Sequence, residues 1–381
     1  MKNILFIHQS AELYGSDKTL LLLLKYLDKT KYTPIVILPF DGPLKQEIEK
    51  ENITVVIAPV LKLYRKMFTP KNLLKFFRDI KTSVSILDNL NKQYNFDLVY
   101  SNTLAVLLGM IYARKRKIKH IWHVHEIIVH PKVIASFFPK LLNKYADVVI
   151  CNSFATMKNL VERKRELEKK TIVIYNGIES EKSKATIFSR EDFGYNDDDI
   201  IITLVGRISR LKGHKWLLNT YLKHFDQKAN VKLLFVGSPV EGQEYYLTDI
   251  EQFIIENKLE KRVKIISFTK NLSQVWRITD IAIMPSSEAE SFGLVAVEAM
   301  LAKKPVIGSN HGGLTEVIID YETGFLVEPN NVAALSVALS KLIDNPVLRK
   351  SFGENGYQRA IKEFSVDQYV QSFETIFSEM L

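Results

Sequence analysis

Short apolar runs rich in β-branched residues alternate with helix-length segments along the whole chain, and no other feature restricts the fold so strongly. In the first half the runs are Asn3–His8, Pro34–Leu38, Ile53–Ala58, Asp97–Ser101, His120–His125, Asp147–Asn152 and Thr171–Tyr175. The second half repeats the scheme with Ile200–Val205, Lys232–Val236, Val263–Phe268, Asp280–Met284, Pro305–Gly308 and Gly324–Val327. Runs that stay apolar on both faces and are spaced by helices belong to parallel sheets built from βαβ units. Between the two series lies Glu179–Asp199, a polar, acidic stretch without apolar periodicity, which reads as a linker. The expected architecture is α/β, with two doubly wound domains, residues 1–180 and 181–363, facing each other across a cleft. In residues 364–381 the spacing of Phe364, Tyr369, Phe373 and Phe377 predicts a closing helix, expected to pack back on the N-terminal domain.

Composition narrows the class. With 381 residues, 46% hydrophobic and 25% charged, the chain has the balance of a globular protein, which excludes disordered, collagen-like and coiled-coil readings. Cys151 is the single cysteine, so no intrachain disulfide forms and a reducing compartment fits best. The longest apolar stretch, Leu104–Tyr112, is interrupted by Gly109 and falls short of a membrane span, and the apolar run at the N-terminus is too short for a signal peptide. A cytoplasmic protein is expected. Charge is unevenly divided: residues 1–180 hold 29 Lys+Arg against 16 Asp+Glu, net +13, and residues 181–381 hold 23 against 27, net −4. A basic first half attracts anionic partners, among them an acidic membrane surface, which would place the protein at the inner face of the plasma membrane. The stretch Leu61–Phe68 with Leu73–Arg78 interleaves cations with large apolar residues. It suits a membrane interface, although a core-facing helix with a basic wet side is the plainer reading.

The densest run of chemically useful residues spans 280–300. A strand ends at Met284, a polar turn follows, and a helix opens near Phe292–Leu294. Glu290 falls in the turn and Glu298 about two turns into the helix, so each carboxylate can accept hydrogen bonds from sugar hydroxyls, while the first free N–H groups of the helix suit a phosphate. Upstream, Gly206-Arg207 and Lys212-Gly213-His214 follow the first strand of the second domain. Two fixed cations there can neutralise a diphosphate without a metal. A further glycine-rich turn, Gly308 to Gly313, precedes Glu316. In the first half, His123 and His125 share one face at a strand end, where a structural role is the plainer reading of either, and Tyr14-Gly15-Ser16 opens a helix.

These residues resemble glycosyltransferase family 4, retaining enzymes of the GT-B fold with two Rossmann-like domains that transfer sugars from nucleotide donors. The likeness covers nearly the whole chain: Gly15-Ser16, His125, Asn152-Ser153, Asn176-Gly177, Val205-Gly206-Arg207 with Lys212-Gly213-His214, Pro285-Ser286 with Glu290-Ser291-Phe292-Gly293, Glu298-Ala299-Met300, Gly312-Gly313 with Glu316, and Thr323-Gly324. The spacing from Glu290 to Glu298 is its most specific element.

The resemblance implies roles. Arg207 and Lys212 would bind the donor diphosphate, Glu298 the ribose, and Glu290 hydroxyls of the transferred sugar. Gly206 and the run Ser291, Phe292, Gly293 and Leu294 would line the donor site, with amides around Phe292–Leu294 stabilising the leaving diphosphate. His125 would face the reacting sugar, and Gly15 and Ser16 would border donor phosphate and acceptor. The expected partners are a nucleotide-sugar, UDP before GDP, and a glycan or lipid-linked acceptor of bacterial surface polysaccharide or glycolipid synthesis. No cofactor and no metal are expected: Asp197-Asp198-Asp199 precedes its strand and reads as a decoy for a metal-binding pair. Tyr14-Gly15-Ser16 and Phe268-Thr269-Lys270 depart from the family pattern at points that bear on substrate choice. Rival readings are a nucleotide-sugar 2-epimerase of the same architecture and a catalytically silent scaffold. Nucleic-acid binding is not expected, since the aromatics form no recognisable stacking platform.

Overall fold

The structure is a computed structural model that describes residues 1–62, 70–179, 188–269 and 271–381. It divides into two compact units, Met1–Ile178 with Ser365–Leu381, and Glu179–Phe364. Of the basic aromatic stretch, residues 63–68 lie outside the described residues, as does Lys270, whereas residues 73–78 fall in the helix Pro70–Tyr94, with Phe76 against the core.

In the first unit the described strands are β1 (Lys2–His8), β2 (Tyr32–Leu38), β3 (Thr54–Ile57), β4 (Leu98–Asn102), β5 (Lys119–Val124), β6 (Val148–Cys151) and β7 (Thr171–Val173). All pairings are parallel, in the order β3-β2-β1-β4-β5-β6-β7. Period two divides each strand between two cores. Leu5, Ile7, Ile35 and Ile37 enter one, whereas Ile4, Phe6, Val36 and Leu38 enter the other. The helix Val366–Met380 covers the second core with Tyr369, Val370, Phe373, Ile376, Phe377 and Met380, an apolar stripe at helical spacing. Its aromatic rings meet Phe6 and Tyr100 edge-on. Gly177 lets the helix approach, because a Cβ there would lie 2.6 Å from the Cβ of Tyr369.

The second unit holds β8 (Ile200–Val205), β9 (Val231–Val236), β10 (Val263–Ile266), β11 (Ile281–Met284), β12 (Val306–Ser309) and β13 (Gly324–Val327), parallel in the order β10-β9-β8-β11-β12-β13. Both sheets are thus doubly wound, with the strand order reversing between β1 and β4 and between β8 and β11. Open α/β sheets bind ligands outside the carboxyl ends of the strands at such a reversal.

The strands match the runs read from sequence, with a systematic trim where an aspartate leads. Asp97, Asp147 and Asp280 precede β4, β6 and β11 instead of opening them. Each carboxylate accepts the N–H of a residue on a neighbouring chain segment: Asn3, His120 and Ile201, at 2.7–2.8 Å. A side-chain acceptor there satisfies an amide that the ladder leaves unpaired. The stretch read as a linker is, from residue 188 onward, part of the second unit. Tyr195 is buried and donates to the Leu233 carbonyl at 2.8 Å, and Arg190 pairs with Asp280 at 3.0 Å. Asp199 is buried as well and accepts the Asn196 N–H.

Candidate functional site

In the second unit, the turns that follow β8 and β11 carry the expected donor-side residues. They are sewn together by Ser287, whose N–H donates to the Leu211 carbonyl at 2.8 Å and whose hydroxyl donates to the Arg210 carbonyl at 3.0 Å. Gly213 makes this approach possible. Its φ is +71°, and a Cβ would sit 1.7 Å from the Pro285 carbonyl oxygen. The two turns therefore bring Lys212 onto Glu290, with Nζ 2.6 Å from Oε1. The Ser286 hydroxyl donates to the same oxygen at 2.5 Å. Burial pushes the Glu290 carboxyl up, but the Lys212 ammonium, the Ser286 hydroxyl and nearby His311 outweigh it and hold the group below the usual carboxylate range. Glu290 is a charged carboxylate in a largely desolvated place.

The glycine-rich turn after β12 closes the other side. Gly313 donates its N–H to the Glu290 carbonyl at 2.7 Å, and a Cβ on Gly312 would lie 2.4 Å from that oxygen. Phe292 is buried against Phe364. Gly293, at φ +106°, caps the helix Leu294–Leu301. That cap delays the helix, so Glu298 is its fifth residue and lies just over one turn in, closer to the helix start than the two turns read from sequence. Ser291 and Leu294 flank the cap and are half-buried. Arg207 is exposed beside Gly206, whose φ of +155° leaves room for the Lys212 stem, 3.2 Å from where a Cβ would be. His214 is buried, edge-on to Phe235, and burial pushes its imidazole down to about 3.

The first unit gathers its polar residues at the β1/β4 reversal. His8, Asn102 and His123 are in register at the ends of β1, β4 and β5. His125 lies just past β5, half-buried, its ring 3.9 Å from that of His123. His8 Nε2 is 2.5 Å from Asp17 Oδ1, and Asn102 lies between His8 and His125 at 3.0 and 2.9 Å. Burial pushes His125 down to about 3, so its imidazole is neutral. Glu126 accepts the N–H groups of Leu104 and His125, each at 3.0 Å, and burial raises its carboxyl to about 7. Gly15 is exposed at the start of the helix Gly15–Tyr26, and the Ser16 carbonyl accepts from the Asn102 amide at 3.2 Å.

The expected residues thus form two groups: Gly15, Ser16 and His125 in the first unit, and Gly206, Arg207, Lys212, Glu290 through Leu294 and Glu298 in the second. Sequence reading passed over His8, Asp17 and Asn102. His8 and Asn102 each carried a signal, because polar residues that end otherwise apolar strands mark the ligand-facing edge of a doubly wound sheet, whereas Asp17, in the first turn of a helix, carried none. Among the described residues no group of three or more His, Cys, Asp and Glu is placed to hold a metal ion, and no helix is long and apolar enough to cross a membrane.

Residues 14–182 match the family described as Glycosyltransferase Family 4, and residues 186–359 match Glycosyl transferases group 1. An uncharacterized glycosyltransferase of Methanocaldococcus jannaschii is 29% identical, over 88% of this chain and 87% of its own. The capsular polysaccharide biosynthesis glycosyltransferase CapM of Staphylococcus aureus is 26% identical, over 81% of this chain and 83% of its own. Among solved structures, HepE of Anabaena in complex with UDP and glucose superposes with a TM-score of 0.84 at 25% identity, covering 99% of this chain and all of its own.

Proposed function

The chain is a glycosyltransferase of the GT-B fold, and on that premise we propose that it moves a hexose-type sugar from a nucleotide-sugar, UDP before GDP, to a lipid-linked or glycan acceptor. The reaction is metal-independent and retains anomeric configuration, and it serves bacterial surface polysaccharide or glycolipid synthesis. The observation that carries this reading is the Lys212–Glu290 pair at the β8/β11 reversal, a fixed cation and a charged carboxylate side by side. HepE, which holds UDP and glucose, supports the choice of uridine nucleotide, and the capsular relative supports the polysaccharide setting.

The chemistry is dominated by charge. As the glycosidic bond to phosphate lengthens, the sugar becomes oxocarbenium-like and the diphosphate gains negative charge. Arg207 and Lys212 answer that charge, with the amides after Phe292 beside them, and preorganised groups of this kind stabilise a transition state without reorganising. Glu290 and Glu298 accept hydrogen bonds from sugar hydroxyls. The neutral imidazole of His125 offers a lone pair to a further hydroxyl. As the resemblance to retaining family-4 enzymes suggests, the acceptor attacks on the face the diphosphate leaves, and the leaving phosphate takes its proton. The basic first half, net +13 over residues 1–180, draws the protein to an anionic surface at the cytoplasmic side of the membrane.

Nucleotide release from a panel of UDP- and GDP-sugars, with EDTA present and Glu290→Ala as control, tests the reading. One donor is expected to be cleaved, insensitively to EDTA and not by the variant. Loss of release in EDTA would overturn metal independence, and neither release nor binding of any donor would overturn the transferase assignment. Sedimentation with acidic liposomes at low salt tests the membrane part, which absence of binding would remove.

A further inference from the structure

The buried hydrogen bonds behind His125 have a direction that can be worked out atom by atom. The Ser16 carbonyl can only accept, so the Asn102 atom 3.2 Å from it is the amide nitrogen. That assignment leaves Asn102 Oδ1, an acceptor only, facing His125 Nε2 at 2.9 Å, so His125 carries its proton on Nε2. The same amide nitrogen lies 3.0 Å from His8 Nδ1, which must therefore present a lone pair. His8 is then protonated on Nε2 and donates to Asp17 Oδ1 at 2.5 Å. Asp17 completes the chain, its other oxygen accepting the Tyr14 N–H at 2.9 Å. Every link is consistent with every other, and His8, Asp17 and Asn102 are almost wholly buried, so no water competes for them.

We infer that Asp17, His8 and Asn102 are positioning residues: a relay of fixed polarity that holds His125 as its Nε2–H tautomer and turns the Nδ1 lone pair toward a ligand hydroxyl. Within the described residues Nδ1 of His125 makes no hydrogen bond, so the relay occupies one ring nitrogen and leaves the other for the ligand. The group met there must be a hydrogen-bond donor. A sugar hydroxyl fits, whereas a phosphate or carbonyl oxygen would face a lone pair. The depressed basicity of His125 agrees, because the ring stays neutral and cannot convert to a second donor. This inference rests on the reading of His125 as a sugar-facing residue.

Asp17→Asn is the most informative change, because one oxygen must now serve two donors. If it stays on the Tyr14 N–H, the new amide faces His8 Nε2 and forces the His8 proton onto Nδ1. Asn102 then reverses, giving up its bond to the Ser16 carbonyl, and His125 becomes Nδ1–H. The experiment is nitrogen-15 spectroscopy of the histidine rings in the full chain, with His125→Gln to assign the signal. In the wild type, Nδ1 of His125 is expected to have the unprotonated shift and Nε2 the protonated one. In Asp17→Asn the two are expected to exchange, and sugar transfer to fall on the order of 10- to 100-fold as two donors meet. Asn102→Leu removes the acceptor with little change of shape and is expected to give averaged shifts. A wild-type ring protonated on Nδ1, or a tautomer unmoved in both variants, would overturn the relay. Exchanged shifts in a chain that cleaves no nucleotide-sugar would keep the relay and overturn the functional reading instead.

Discussion

The two units place their polar residues at the same point of the same kind of sheet and furnish it with opposite chemistry. At the β8/β11 reversal the side chains are charged: Arg207, Lys212 and Glu290, set on turns that glycines bring within van der Waals reach. At the β1/β4 reversal they are chiefly imidazoles and an amide, anchored on one buried aspartate. An ammonium beside a carboxylate tolerates small displacements, since Coulombic attraction falls slowly with distance. A relay of hydrogen bonds fails when one proton is misplaced. On the proposed function, the second unit answers charge that appears during reaction and the first fixes an orientation.

The largest expected effect sharpens the role of glycine in the charged site. Gly213→Ala adds a Cβ 1.7 Å from the Pro285 carbonyl at a positive φ. It is expected to destabilise the second unit by about 3–5 kcal/mol, read as a lowered urea midpoint. Next comes Lys212→Ala, which leaves Glu290 without its cation. Nucleotide release is expected to drop about 100- to 1,000-fold, with a smaller loss of stability that Glu290→Gln added to it restores in part. A drop below tenfold would show that the pair is structural.

Acid separates the units further. In the first unit His120 is pushed down to about 4 and His125 to about 3, chiefly by burial, and buried His123 is lowered as well. The unfolded chain binds protons near 6.5 and the folded unit does not. Stability is therefore full above 6.5 and declines as pH falls, by about 1.4 kcal/mol per histidine per pH unit. Glu126 acts in the other direction, since its raised carboxyl favours the folded state below pH 7. Three histidines outweigh one glutamate, while the second unit has His214 alone among its described shifted histidines. Hydrogen exchange corrected for intrinsic rates should show the first unit loosening more between pH 7 and pH 5. Equal loosening would erase this contrast. The smallest effect belongs to Arg210→Ala, which removes an ion pair to Glu288 whose partners are 66% and 49% exposed. Stability should move by less than about 0.5 kcal/mol and turnover should not change.

Both sheets were legible in the sequence because strands buried on two faces are short, continuous and apolar, whatever the helices between them do. The charged site was legible for a local reason: Lys212 and Glu290 each lie in a turn that directly follows such a run. The relay was not. His8, Asn102 and His125 come together only because β4 returns to lie beside β1 and β5 beside β4, and strand order is not written in any single run. Asp17 lies in the first turn of the helix after β1 and its partner His8 ends that strand, nine residues earlier. The position of Glu298 was misjudged for a related cause, since a positive φ at Gly293 shows itself only in the backbone.

Titration of UDP into the wild type, Lys212→Ala and His125→Ala, with transfer measured on the same samples, tests the division of labour most directly. Lys212→Ala is expected to lose UDP affinity and transfer together, and His125→Ala to keep the affinity and lose the transfer. If His125→Ala weakened UDP as much as Lys212→Ala does, or transferred sugar normally, the contrast between a charged donor unit and an orienting first unit would be wrong.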